Sequence, residues 1–340
     1  MRSDIEGKDN SSEDKSNYKI VRSGDMVYNS MRMWQGANGI SPWDGIVSPA
    51  YTVLKPRIPL SNEFFAALFK TYRLINEFRK NSQGMTSDTW NLKYPQIETI
   101  KTFIPSLPEQ ERVAAFLTAL DQRIEKQRVL VEHLKKYKRG ALQCVFHSMT
   151  DCSVITVGDV FIKANKRNSD GRIKNVITNS AEYGLIPQRD FFDKDIAVDG
   201  NTNNYYIIHK DCFVYNPRKS NTAPYGPFNC YNGEEEGIIS PLYTCLIKKI
   251  EVDSTYLSWY FKSDSWYRYI YDNGSQGVRH DRVSMTDDLL MGIPVKLPSA
   301  QKQKEISKFL NGIDAKLRLE ADILKHLIKI KNGLYDKMFL

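Results

Sequence analysis

An internal repeat limits this 340-residue chain to folds built twice over, and such a period constrains architecture before any single element does. Residues 104–146 lie against residues 297–339 at a constant offset of 193 with no gap. Pro105/Pro298, Ser106/Ser299, Gln110/Gln303, Phe116/Phe309, Leu117/Leu310 and Asp121/Asp314 are identical across it. So are His133/His326, Leu134/Leu327, Lys136/Lys329, Lys138/Lys331, Gly140/Gly333 and Phe146/Phe339. Upstream the match continues with small shifts of offset. Gly45-Ile46-Val47-Ser48-Pro49-Ala50-Tyr51-Thr52 answers Gly237-Ile238-Ile239-Ser240-Pro241-Leu242-Tyr243-Thr244. Val27-Tyr28-Asn29 answers Val214-Tyr215-Asn216, Phe69-Lys70 answers Phe261-Lys262, and Ser82-Gln83-Gly84 answers Ser275-Gln276-Gly277. Each unit is an irregular domain followed by a long segment of helical period. The first unit is the shorter, with no counterpart of residues 147–193.

The long segments carry a seam. Val113, Leu117, Leu120, Ile124, Val131 and Leu134 keep coiled-coil spacing, as do Ile306, Leu310, Ile313, Leu317, Leu324 and Leu327. Ser106 and Glu109 fit a capping box at the first start. A helix of ~35–40 residues is ~55 Å long and needs a partner of equal length to cover its stripe. Gln127 and Glu320 interrupt the seams at matching positions, where a polar residue fixes register. The expected fold is therefore α+β: two mixed α/β domains and an antiparallel coiled coil, with a domain at each end and a pseudo-twofold axis. Strands are expected at Met26–Asn29, 46–54, 212–216 and 238–247, helices at 64–78 and 256–271, and a loop at 217–233. The repeated Ser-Pro-x-Tyr-Thr segments are read as strands leading into a buried Tyr and Thr.

Composition closes several routes. No apolar run approaches the ~20 residues that cross a bilayer, and the charged N-terminus lacks a signal peptide's apolar core. Five cysteines without a CxxC pair argue against a disulfide framework or a zinc ribbon, which favours a cytoplasmic setting. Lys and Arg number 48 against 40 Asp and Glu, and most of the excess sits on the two long segments. An anionic partner is implied, read by local patches.

The chain offers no GxGxxG, Walker loop, HExxH or GxSxG. Asn216-Pro217-Arg218-Lys219 starts like an adenine-methyltransferase tetrapeptide and then departs from it. His133 and His326 are read as packing or helix-pairing residues, and Asp121 and Asp314 as helix-face or partner-docking residues in two separate environments. The chemistry that remains is nucleic-acid contact. Lys163, Lys166, Arg167, Arg172 and Lys174 form a basic run; Arg218 and Lys219 sit on the Pro/Gly/Asn loop; Gln276, Arg279 and Arg282 cluster further on. The first domain offers Arg32, Gln35, Asn38, Gln83 and Lys93. Arg and Lys bridge phosphates or grip guanine, while Asn and Gln suit adenine. Gly36, Gly39 and Gly226 allow close backbone approach to a ligand, or serve turns.

These residues resemble a known family, the specificity subunits of type I restriction-modification systems. The resemblance rests on Pro105-Ser106-Leu107-Pro108-Glu109-Gln110-Glu111-Arg112-Val113 with its weaker copy from Pro298, and on the Gly-Ile-[Val/Ile]-Ser-Pro-x-Tyr segments. It implies target recognition domains at 1–104 (shortened at its N-terminus) and 147–296, alternating with the family's conserved helices at 105–146 and 297–340. It further implies a non-catalytic scaffold that reads a two-part DNA target, with the coiled coil as a ruler. Methyltransferase subunits using S-adenosylmethionine would dock on the helices, and an ATP- and Mg-dependent restriction subunit could join them. The chain itself would hold no cofactor or metal. The shortened first domain is either a single-reader form or is completed by another chain or a second copy. The rival reading is a coiled-coil adaptor that does not touch DNA.

Overall fold

The computed structural model describes residues 13–86, 90–191, 202–274 and 281–339. The chain divides into two compact units, residues 1–131 with 320–340 and residues 132–319.

The first unit opens with strands β1 (Lys19–Val21), β2 (Met26–Asn29), β3 (Asn38–Ile40), β4 (Gly45–Val47) and β5 (Tyr51–Leu54). They pair as β1-β4 and as β3-β2-β5, all antiparallel. The expected strand over 46–54 is thus two strands. Ser48-Pro49-Ala50 turns between them, with the Tyr51 N–H donating to the Ser48 carbonyl at 3.0 Å. Pro49 has no N–H for a ladder, which ends β4. Tyr51 is 37% exposed, so the buried-Tyr reading of the motif is corrected to a turn. Helices α1 (Asn62–Leu68), α2 (Tyr72–Asn81) and α3 (Tyr94–Ile97) follow. Thr71 caps α2 by accepting from the Leu74 N–H and so splits the helix expected over 64–78. Tyr28, Met33, Phe64, Leu68, Leu74, Phe78 and Leu92 make the core, joined by Ala114 of α4 (Leu107–His147).

The second unit begins with β6 (Ser153–Thr156), the short helix α5 (Val157–Val160), β7 (Phe161–Lys163), β8 (Val176–Ser180), β9 (Gly184–Pro187) and α6 (Gln188–Phe191). Strands β10 (Tyr206–Ile208), β11 (Phe213–Tyr215), β12 (Phe228–Cys230), β13 (Gly237–Ile239) and β14 (Thr244–Lys248) come next. Helices α7 (Ser254–Lys262), α8 (Tyr267–Asn273) and α9 (Asp287–Met291), strand β15 (Pro294–Leu297) and the first part of helix α10 (Ala300–Met338), up to residue 319, complete it. The sheets run β10-β13-β8-β9, β12-β11-β14-β7 and β15-β6. Here too the Ser-Pro copy is a turn between β13 and β14, and the helix expected over 256–271 is two. The expected loop 217–233 contains β12, whose three residues are all buried. Phe161, Phe213, Phe228, Phe261 and Trp266 crowd one core, Phe228 stacking on Phe261 at 3.9 Å and 7°.

The strand sets correspond. In domain one β1-β4 has the register of β10-β13: Ile20 faces Ile46 as Ile207 faces Ile238. Likewise β3-β2-β5 corresponds to β12-β11-β14. Among the described residues the first unit holds no counterpart of β6, β7, β8 or β9.

Each long helix is fastened to its domain in the same way. Gln110, buried, donates to the Pro105 carbonyl at 2.9 Å and accepts from the Ser61 N–H at 3.1 Å. Gln303 donates to the Pro298 carbonyl at 2.9 Å and accepts from the Asp253 N–H at 3.1 Å. Ser61 and Asp253 are the caps of α1 and α7, so each glutamine ties a helix start to a helix cap. Phe339 packs on Phe64 at 5.4 Å, and Phe146 packs on Tyr260 at the same ring distance.

Within each unit the two long helices run antiparallel. In the first, Asp121 pairs with Lys331, and Gln127 donates to the Glu320 carboxylate at 2.6 Å and carbonyl at 3.0 Å. In the second, Asp314 pairs with Lys138. Leu117, Ile124, Val131, Ile306, Leu310 and Ile313 are buried on the seam, as the period predicts. His133 and His326 lie exposed, which corrects their reading as packing residues. A lysine from each domain joins these pairs. Burial lowers the pKa of Lys70 beside Lys331 and Asp121, and that of Lys262 beside Lys138 and Asp314.

Candidate nucleic-acid interface

The second unit presents its cations on a pair of loops. Asn216, buried at the end of β11, accepts from the Arg218 N–H at 3.0 Å and donates to the Asn179 carbonyl at 3.2 Å. This Asx turn carries Arg218 and Lys219 outward, and both are exposed. The Val283 N–H donates to the Pro217 carbonyl and the Lys219 N–H to the Asp281 carbonyl, each at 2.9 Å. Arg218 and Arg282 face one another in an antiparallel bridge, with Arg282 3.6 Å from Asp281. Arg218 and Arg282 line a small hollow with Asn216, Pro217, Leu242 and Tyr243. Two guanidinium forks beside an aromatic ring are suited to phosphates and to the O6/N7 edge of guanine. Gly226 serves the loop itself: at φ +86°, a Cβ there would stand 2.1 Å from the Asn216 carbonyl oxygen. The methyltransferase-like start Asn216-Pro217 is therefore a structural turn.

The other basic residues are distributed around this unit. Lys163, on β7, pairs with Asp287. Arg167 donates to Asn204 at 3.2 Å and lies over the Tyr206 ring at 5.5 Å. Arg172 pairs with Glu236 at 2.9 Å. Lys166 and Lys174 are exposed on the strand-to-strand connection. The linear run 163–174 is thus spread over several partners, and a surface ion pair contributes little stability. Gln276 and Arg279 lie outside the described residues.

The first unit repeats the loop pairing with other side chains. Asn29 accepts from the Met31 N–H at 3.0 Å, the Leu92 N–H donates to the Ser30 carbonyl at 2.9 Å, and Gln83 and Asn91 exchange backbone hydrogen bonds. Arg32, Gln35, Gln83 and Lys93 are exposed around this pairing. Asn38 is half-buried on β3 and donates to the Gly36 carbonyl at 3.1 Å. Gly36 itself, at φ +79°, closes the turn after Met33–Gln35. Sequence reasoning did not single out Trp34, Trp90 and Arg79. The two indoles meet edge to face at 5.1 Å, and Arg79 lies 5.9 Å over Trp34. The two tryptophans stand far apart in sequence, so no local pattern marks them. Among the described residues no three His, Cys, Asp or Glu side chains gather as a metal site.

A family model for the type I restriction modification DNA specificity domain matches residues 5–132. The resemblance to type I specificity subunits holds. The fold agrees with it. The HsdS subunit of Thermoanaerobacter tengcongensis is similar at TM-score 0.53 and 17% identity, over 96% of this chain and 83% of that one. The type I system S subunit of M. genitalium is similar at TM-score 0.56 and 16% identity, over 95% and 84%. A structure described for complex assembly and conformational transition of the type I R-M system is similar at TM-score 0.54 and 18% identity, over 96% and 84%. No curated protein sequence matches the chain. No helix among the described residues is long and apolar enough to cross a membrane.

Proposed function

We propose that the chain is the DNA-reading component of a type I restriction-modification complex, acting in the cytoplasm. Each domain reads one part of a two-part target, and the paired long helices set the spacing between the parts. Methyltransferase subunits bind the long helices and methylate adenine with S-adenosylmethionine. A restriction subunit using ATP and Mg can join them. The chain itself contributes recognition without catalysis or cofactor.

The observation that carries this reading is the Arg218–Arg282 loop pairing. It sets Arg218 opposite Arg282 across a small hollow, with exposed Lys219 next along the loop, and its backbone counterpart recurs in the first unit. A helix pair locked by Gln127 and Glu320 suits a ruler, because two half-sites need fixed separation and phase.

The test is duplex binding at several salt concentrations, followed by mapping of methylated adenines in cells that co-express the chain with a methyltransferase subunit. The reading expects affinity to fall as salt rises, with a slope of about −0.9 per phosphate contact. Arg218→Ala and Arg282→Ala are each expected to cost about 1–3 kcal/mol of specific affinity. Replacing residues 147–296 should change one half of a split adenine motif. Salt-independent or absent duplex binding would leave the protein-interaction adaptor as the better reading.

A further inference from the structure

Three buried asparagines stand behind the Arg218 loop. Asn179 near the end of β8, Asn216 after β11 and Asn229 in β12 are 4%, 7% and 8% exposed. The Asn229 side chain donates to Asn179 Oδ1 at 2.7 Å and to the Ser180 carbonyl at 3.1 Å. The Asn179 side chain donates in turn to the Val214 carbonyl at 2.9 Å, and the Asn179 carbonyl accepts from the Asn216 side chain at 3.2 Å. This chain of amides ends on the Arg218 N–H, which donates to Asn216 Oδ1 at 3.0 Å. It crosses between two sheets, since β8 lies in one and β11 with β12 in the other. Ser180 fixes the turn after β8, its hydroxyl accepting from the Glu182 and Tyr183 N–H groups, each at 3.2 Å.

Such burial needs a reason. An amide taken out of water costs free energy unless it is hydrogen-bonded, and an apolar residue would fill a strand position without that demand. The first unit supplies the control. Val27 pairs with Gly39 in the register in which Val214 pairs with Asn229, so the strand ladder forms without this amide. Asn29 makes the same turn there, accepting from the Met31 N–H, and Met31 stands where the second unit has Arg218. Within one molecule, the turn that presents an arginine has the asparagine behind it, and the turn that presents a methionine has a glycine. A side chain that discriminates between bases must start from a fixed backbone, because a bidentate contact tolerates little displacement.

We propose that Asn179, Asn216 and Asn229 are positioning residues that fix the Arg218 backbone for discrimination at one base pair of DNA. The inference rests on the reading of the Arg218 loop as a DNA contact and adds what makes that contact selective. Overall affinity, supplied by exposed cations such as Lys219, does not depend on the brace.

The experiment compares the full chain with Arg218→Ala, Asn229→Ala and the double variant. The probes are a duplex bearing the adenine motif mapped in the co-expressing cells, its single-base-pair variants and an unrelated duplex. Arg218→Ala is expected to reduce discrimination at one base pair about tenfold. Asn229→Ala is expected to reduce it about fivefold at the same base pair, with binding to the unrelated duplex and its salt dependence unchanged. Added to Arg218→Ala, Asn229→Ala should change discrimination by less than about twofold, since the residue it positions is gone. Melting reports folding. Asn216→Ser carries the test if Asn229→Ala does not fold, because a serine hydroxyl still accepts from the Arg218 N–H while the bond to the Asn179 carbonyl is lost. Full discrimination by the folded variants, or an undiminished loss on top of Arg218→Ala, overturns the inference and leaves DNA reading standing. Absence of duplex binding by the unaltered chain, or unchanged discrimination by Arg218→Ala, overturns the reading of this loop and the inference with it.

Discussion

The two domains share strand registers, loop pairing and helix attachment, but they differ in what is laid over those shared parts. The second domain adds β6 to β9, and with them Val157, Val160 and Phe161 enter a core that also holds Phe213, Phe228 and Trp266. The first domain builds a smaller core around Tyr28, Phe64, Leu74 and Phe78. Tyr28 stands opposite Asn38 on the neighbouring strand, where Tyr215 stands opposite Phe228. The comparison separates two jobs. Holding the long helices needs only the shared parts, because Gln110 and Gln303 make the same two hydrogen bonds with and without the extra strands. Burying the β1-β4 face needs the additional segment.

The strongest way to break this comparison is a charge at the matched isoleucine. Ile238→Asp places a carboxylate in a fully buried position and is expected to cost on the order of 3–5 kcal/mol, as an uncompensated buried charge does. Ile46→Asp sits half in water and should stay within about 0.5 kcal/mol. Urea unfolding followed by peptide-resolved hydrogen exchange checks each domain separately. Equal losses at the two positions would mean that β4 is already covered.

A middle-sized effect sharpens the shared part. Gln110→Ala and Gln303→Ala each remove two hydrogen bonds at a buried site and leave a helix-cap N–H and a proline carbonyl to find other partners. Each is expected to cost about 1–3 kcal/mol. The two costs should agree, measured as loosening of exchange at the starts of α1 with α4 and of α7 with α10. A large difference between them would show that the extra strands also support the helix attachment.

The sequence period revealed the long helices, their seam and the Gln127/Glu320 lock, because helical spacing sustained over forty residues has few other solutions. It also marked Gln110 and Gln303 as repeated, but their partners Ser61 and Asp253 lie some fifty residues away, and only geometry joins them. The strand breaks at Ser48-Pro49 and Ser240-Pro241 were signalled by proline and masked by the apolar residues on either side. Period-2 reasoning does not register a turn flanked by two strands. The candidate interface was legible as residue types and not as a place. Arg218 and Arg282 meet through backbone pairing between distant loops, whereas the contiguous run from Lys163 to Lys174 is dispersed because β7 ends and the chain crosses to β8. Exposure of Ile20 and Ile46 was not readable at all, since an isoleucine in a strand looks the same whether or not another strand covers it.

The smallest expected effect separates the two interhelical ion pairs. Asp314 has a side chain 16% exposed and is held by Lys138 and by Arg318 at 2.8 Å, while Asp121 is 50% exposed and pairs with Lys331. Burial alone would raise the pKa of the Asp314 carboxyl. The hydrogen bond from Lys138, the charges of Lys138 and Arg318, and nearby Lys262 outweigh it and hold the group below the ordinary aspartate value. A carboxylate whose folded pKa is depressed stabilises the fold above its unfolded pKa and loses that contribution as pH falls through the folded one. Asp314→Asn is therefore expected to cost about 1–2 kcal/mol at neutral pH, as for a hydrogen bond to a charged group. Its difference from the unaltered chain should shrink toward zero in acid, below about pH 4. Asp121→Asn should cost less than about 1 kcal/mol at neutral pH, because water and salt screen an exposed pair. Urea midpoints for the three proteins at neutral and acid pH decide the matter. A cost for Asp121→Asn equal to that for Asp314→Asn would show that the matched pairs hold the helices with equal strength despite their different exposure.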